Sequence, residues 1–132
     1  MPLAQTLSGV RVLVVEDNYL VAGAIAQNLR SRGAAVLGPA PTVDRALELV
    51  EENQIDAALL DIDLQGSTAT PVALRLRALG RPFVFLTGYG SEGMLPDELA
   101  DQPRLTKPLP MEELAAAVLA MVNGSPGPAR PV

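Results

Sequence analysis

The chain contains no cysteine and no histidine, and lysine occurs once, at Lys107, against nine arginines. Without cysteine there is no disulfide framework and no thiolate chemistry. Without histidine the usual general base and the usual transition-metal ligand are both missing. Chemistry must therefore run on carboxylates, hydroxyls, Lys107 and the backbone. No apolar stretch reaches the ~20 residues of a membrane span. The first nine residues lack both the basic start and the apolar centre of a signal peptide. A cytoplasmic location with no membrane partner is the expectation. The net charge is −5 with no lysine- or arginine-rich run, and phosphate neutralisation needs a basic patch, so nucleic acid is not an expected partner. The lone lysine matters because an ammonium makes a compact point contact with an anion, whereas a guanidinium makes a planar fork.

What is present is a chain of 132 residues, 48% apolar and 19% charged, which suits one globular domain that buries roughly two-thirds of its unfolded surface. Residues 10–15 form a β-branched, nearly all-apolar run, the pattern of a strand covered on both faces. Asp17 or Asn18 caps a following helix that carries Val21, Ile25 and Leu29 and stops at Gly33. A second strand is expected over 34–38, ended by Pro39 and Pro41, with Thr42 capping a helix through Val43, Ala46, Leu47 and Val50. The third strand ends at Asp61. A loop through Gly66 then leads to a helix with Val72, Leu76 and Leu79 inward. The fourth strand ends at Thr87, and residues 88–96, with three glycines and a proline, leave room only for a short, irregular helix. A brief strand over 103–106 precedes Lys107. Pro110 opens a last helix with Ala115, Val118, Leu119 and Val122 inward. Residues 1–9 read as an N-terminal extension, 10–122 as the domain and 123–132 as a flexible, proline- and glycine-rich tail.

Strict strand–helix alternation with right-handed crossovers predicts an α/β, doubly wound parallel sheet flanked by helices on both faces. Such sheets bind ligands outside the carboxyl ends of their strands. Glu16 and Asp17 follow strand one, Asp61 ends strand three, Thr87 ends strand four and Lys107 follows strand five. Three converging carboxylates repel one another unless a cation holds them. An all-oxygen ligand set suits Mg²⁺ better than zinc or copper. Mg²⁺ shares its shell with phosphoryl oxygens, Lys107 and the Thr87 hydroxyl can serve the remaining ones, and an ionised carboxylate is a nucleophile toward phosphorus. The pieces assemble into phosphoryl transfer onto a protein carboxylate.

Leu-Val-Val-Glu16-Asp17, Ala-Leu-Leu-Asp61-Ile-Asp-Leu, Phe-Leu-Thr87-Gly and Leu-Thr-Lys107-Pro108 together resemble the receiver domain of two-component response regulators, over roughly residues 10–122. The resemblance implies a flavodoxin/CheY-like sheet of five strands in the order 2-1-3-4-5. It also implies Asp61 as phosphoacceptor, and Mg²⁺ held by Asp17 and Asp61, by Glu16 mostly through water, and by the backbone carbonyl of Asp63. Thr87 is implied as a switch hydroxyl, Lys107 as the charge holding the acceptor and then the phosphoryl group, and Lys107-Pro108 as a cis bond. A histidine kinase or histidine phosphotransfer protein is the implied donor, and a downstream protein the implied recipient of the signal. Catalysis would be confined to self-phosphorylation and self-dephosphorylation.

Three departures from the family pattern stand out. Gln65 replaces a common proline, which predicts a less rigid loop. Leu105 stands where the family's switch aromatic usually lies. The Thr87-Gly-Tyr-Gly stretch resembles a Phe-x-Thr-Gly-Tyr subgroup without a regular fourth helix, which points to residues 88–96 as the moving element and to Tyr89 as either its aromatic or a plain loop residue.

Competing readings accompany these. Glu16 and Asp17 also suit a helix N-terminus, Thr87 also suits a turn cap, and Asp63 is either a solvated loop acid or a carboxylate that tunes hydrolysis. Leu-Leu-Asp61-Ile-Asp63 also resembles the first motif of haloacid-dehalogenase-type phosphatases, although Leu64 and the position of the acid pair argue against it. A pseudo-receiver that binds without phosphorylation is countered by the complete acid–Thr–Lys set. A nucleotide-binding Rossmann module lacks its Gly-x-Gly-x-x-Gly.

Overall fold

The computed structural model describes residues 7–88, 90–108 and 110–124. In chain order the elements are β1 (Arg11–Val15), α1 (Tyr19–Ser31), β2 (Ala35–Ala40), α2 (Val43–Glu52), β3 (Ala57–Asp61), β4 (Asp63–Leu64), β5 (Ser67–Thr68), α3 (Thr70–Ala78), β6 (Phe83–Thr87), β7 (Arg104–Thr106) and α4 (Met111–Val122). Five strands form one parallel sheet in the order β2-β1-β3-β6-β7. This is the expected 2-1-3-4-5 order, with the small β4–β5 hairpin set apart from the sheet.

The near-continuous apolar strands follow from burial on both faces, since successive side chains point to opposite sides. Leu13 and Val15 of β1, Ala58 and Leu60 of β3, and Phe83 and Phe85 of β6 pack with α2 and α3. Val12, Val14, Ala57, Leu59, Val84 and Leu86 pack on the other face with α1 and α4. Asn18 caps α1 by accepting the Val21 amide, and Thr42 caps α2 by accepting the Arg45 amide. Leu7 belongs to the packed body although it lies in the stretch read as an extension: it is fully buried, and its amide donates to the Arg32 carbonyl at 2.9 Å.

Three local expectations need correction. The second strand does not stop at Pro39 but continues to Ala40, across a cis Gly38–Pro39 bond. A proline is tolerated there because β2 is an edge strand and its pairing with β1 shifts between Leu13 and Val15. Gly38 adopts φ 97°, and a Cβ at that position would stand 2.6 Å from the Ala40 nitrogen and 2.9 Å from the Val14 carbonyl oxygen. Leu79 is not a core residue: α3 ends at Ala78, and Leu79, its C-cap, is two-fifths exposed. Val122 is equally exposed, because the buried stripe of α4 runs through Leu114, Ala117, Val118 and Met121.

Between β6 and β7 the described residues form two 3₁₀ turns, Glu92–Met94 and Asp97–Leu99, and no α-helix. The loop after Asp61 is a tight hairpin in which Asp63 pairs with Thr68 and Leu64 with Ser67. Its two turn residues, Gln65 (φ 54°) and Gly66 (φ 93°), both take the positive φ of a type I′ turn. None of the described helices is long and apolar enough to cross a membrane.

Burial separates two leucines that periodicity alone treats alike. Leu59, at the centre of β3, is fully enclosed, and Leu59→Ala is expected to lower unfolding stability by about 2–5 kcal/mol. Leu79→Ala is expected to change it by less than about 1 kcal/mol. Urea denaturation followed by circular dichroism measures both.

Candidate phosphoryl-acceptor site

The sheet positions the site. β1 pairs with β2 on one side and β3 on the other, so the chain leaves β1 at the point where the strand order reverses. That opens a crevice at the carboxyl ends of β1 and β3. Glu16 leaves β1 with its amide tied to the Ala40 carbonyl, and its side chain is buried. One Glu16 carboxylate oxygen (Oε2) accepts the Asn18 amide at 3.1 Å, and the other (Oε1) accepts Lys107 Nζ at 2.6 Å. Lys107 Nζ also stands 3.4 Å from Asp61 Oδ2, at the end of β3. The lysine is brought there by β7, since its own amide donates to the Thr87 carbonyl at 2.8 Å.

One carboxylate oxygen from each of Glu16, Asp17 and Asp61 lies within 4.8 Å of the others. When all three are ionised they outnumber the single ammonium, so the cluster fits a divalent cation, and its all-oxygen chemistry fits Mg²⁺. An open pocket of about 280 Å³ lies over them, lined also by Asn18, Asp63, Gln65, Gly88, Ser91 and Lys107.

Burial, and then the negative charge of Glu16, push the Asp61 carboxyl up to about 7 despite the opposing charge of Lys107. For Lys107, burial favours the neutral amine. The hydrogen bond to Glu16 and the charges of Asp61 and Glu16 outweigh it and hold the ammonium above its ordinary range.

Of the residues singled out in the sequence, Glu16, Asp17, Asp61, Asp63 and Lys107 meet at this pocket. Thr87 and Leu105 are not among its lining. The Thr87 hydroxyl is buried and turned toward β7, 3.4 Å from the Leu105 carbonyl and 3.5 Å from Thr106 Oγ1. Leu105 packs in the apolar layer beneath α1 and α4. Tyr89 lies outside the described residues. The Asp63 side chain is exposed, and its Oδ1 accepts the Gly66 amide at 3.4 Å, closing the hairpin turn. Ser91 also lines the pocket, a placement that strand alternation does not reveal. The available signal was a hydroxyl three residues after Gly88, the spacing at which serine closes a turn on the backbone.

The fold and this site define a class, and the chain belongs to it: the response regulator receiver domain family, whose profile matches residues 12–119. Among solved structures, the chain is 39% identical to SdrG from Sphingomonas melonis Fr1, with a TM-score of 0.73, covering 89% of this chain and 98% of that one. A CheY-like receiver domain protein from Methanospirillum hungatei JF-1 gives a TM-score of 0.78 at 25% identity, over 89% of this chain and 96% of that one. The sensory transduction protein RegX3 of Mycolicibacterium smegmatis is 35% identical over 85% of this chain, which covers 50% of RegX3. The chain thus spans about half the length of the curated relatives it matches.

The raised Asp61 carboxyl generates a pH prediction for metal-free protein. A folded-state pKa near 7, above the unfolded carboxylate's 3.8, means the native state holds a proton that the unfolded state has released. Stability therefore falls as pH rises from about 4 to above 7. Urea midpoints measured in a chelator between pH 4 and 8 are expected to show this decline, and Asp61→Asn to flatten it and stabilise the protein at pH 8.

Proposed function

We propose that this receiver domain takes a phosphoryl group onto Asp61 from a phosphohistidine donor, a histidine kinase or histidine phosphotransfer protein, and signals its occupancy by protein–protein contact. The observation that carries the reading is the position of Lys107, whose ammonium lies between the buried Glu16 carboxylate and the Asp61 carboxylate. An Asp61 carboxylate oxygen attacks phosphorus. The new P–O bond forms as the donor's P–N bond breaks, and the electron pair stays on the imidazole nitrogen, which is then protonated. Lys107 faces the charge that accumulates on the phosphoryl oxygens and stabilises it by a charge-assisted hydrogen bond. Glu16, Asp17 and Asp61, with the backbone carbonyl of Asp63, are the groups that would hold Mg²⁺, which when bound neutralises phosphoryl charge.

Asp63, which lines the pocket, is the carboxylate that tunes hydrolysis of the acyl phosphate in this reading. Thr87 acts as the switch hydroxyl by exchanging its β7 partners for a phosphoryl oxygen, and residues 88–96 form the element that responds. Leu105 fills the usual aromatic position with a packed aliphatic side chain, which favours this segment over an aromatic at position 105 as the moving part. No observation favours the phosphatase reading, and the profile that matches residues 12–119 is that of a receiver domain.

Intact-protein mass after incubation with acetyl phosphate and Mg²⁺ tests the proposal. One phosphoryl adduct is expected, abolished by a chelator and by Asp61→Asn. Lys107→Ala is expected to slow its formation by about a hundredfold. Lys107→Arg, although it conserves charge, is expected to be impaired because a planar fork does not reproduce the point contact. A protein that gains no adduct, or keeps one in Asp61→Asn, would overturn it.

A further inference from the structure

Among the described residues four polar or charged side chains are buried: Glu16, Asp61, Thr87 and Ser91. The first three already have places in the proposed chemistry. Ser91 has none, yet it lines the same pocket as Asp61 and Lys107. Its hydroxyl accepts the Gly88 amide at 3.0 Å and donates to the Gly88 carbonyl at 3.0 Å. The Ser91 amide donates to that carbonyl as well, at 3.3 Å. One serine therefore fastens both polar groups of the residue that follows Thr87. The Thr87 hydroxyl, by contrast, faces β7.

We propose that Ser91 couples the phosphorylation site to the 3₁₀ segment: its hydroxyl exchanges the Gly88 carbonyl for a phosphoryl oxygen on Asp61, and the exchange shifts the turn that begins at Glu92. The proposal rests on the reading of Asp61 as phosphoacceptor. A serine hydroxyl has one proton to donate, so it cannot serve the Gly88 carbonyl and a phosphoryl oxygen together. A hydrogen bond to an ionised oxygen is roughly twice as strong as one between neutral groups, so the phosphoryl oxygen wins the competition. Gly88 is then left tied to Ser91 through the serine amide and through its own N–H.

The turn beyond is linked directly, because the Met94 amide donates to the Ser91 carbonyl at 3.1 Å. Met94 and Leu95 pack against the apolar layer beneath α2 and α3. Displacement of Ser91 thus reaches a partly exposed apolar surface without passing through Leu105.

Hydrogen exchange followed by NMR on the full chain tests this, with Mg²⁺ and beryllofluoride as the phosphoryl mimic. In the wild type, exchange at the Met94 amide is expected to change by about fivefold or more on binding, the factor carried by one ordinary hydrogen bond, while the Gly88 amide, which keeps its bond to the Ser91 hydroxyl oxygen, stays protected. Ser91→Ala is expected to keep the acetyl phosphate adduct on Asp61 while losing the Met94 response, and Ser91→Thr to restore that response. A wild-type protein whose Met94 amide does not respond overturns the proposal, as does a Ser91→Ala protein with the full Met94 response. The wild-type arm decides the matter if Ser91→Ala does not fold. An adduct on Asp61 with an unresponsive Met94 amide removes the Ser91 coupling alone. Absence of the adduct removes the phosphoacceptor reading, and the coupling with it.

Discussion

Lys107 sits 2.6 Å from Glu16 and 3.4 Å from Asp61, and the arrangement of the site depends on that contact. Glu16 is buried, and a buried carboxylate is tolerated only when it is paired and hydrogen-bonded. Lys107 and the Asn18 amide supply those partners. The pairing has a structural precondition, because β7 must close the sheet beside β6 for the Lys107 amide to meet the Thr87 carbonyl. An ammonium delivered by the last strand thereby holds together the ends of the first and third.

The same contact leaves the site electrostatically incomplete. One ammonium does not balance the carboxylates of Glu16, Asp17 and Asp61, and Asp61 responds by holding its proton to about pH 7. Stability and reactivity are therefore set against each other. The ionised Asp61 that the proposed transfer needs is the form that burial and Glu16 disfavour, and added positive charge relieves both. Such perturbed carboxylates are what a functional cleft in an α/β sheet is expected to contain.

Most of the scaffold was legible because the strands are buried on both faces and read as uninterrupted apolar runs, each ended by a polar residue. Glu16, Asp17, Asp61 and Lys107 could be placed at one edge from strand alternation alone. Periodicity failed where an element ends. Leu79 and Val122 continue the apolar spacing of α3 and α4, but each lies where its helix stops. Pro39 misled for the opposite reason: an edge strand with a shifted register accommodates a proline that an interior strand would exclude. Orientation was the least legible property. Thr87 stands at the expected strand end, yet its hydroxyl faces β7, whereas Ser91, in a segment notable mainly for glycine, closes a turn at the pocket wall. A sequence pattern fixes which strand end a side chain leaves from; its hydrogen-bond partners depend on the neighbouring strand.

Because lysine occurs once in this chain, nitrogen-15 labelling of lysine side chains gives a single ammonium resonance that reports on the central contact. A slowly exchanging signal is expected that stays protonated above the pH at which an ordinary lysine titrates, and that shifts when Mg²⁺ and beryllofluoride are added. A signal that titrates like free lysine and ignores both additions would contradict that contact.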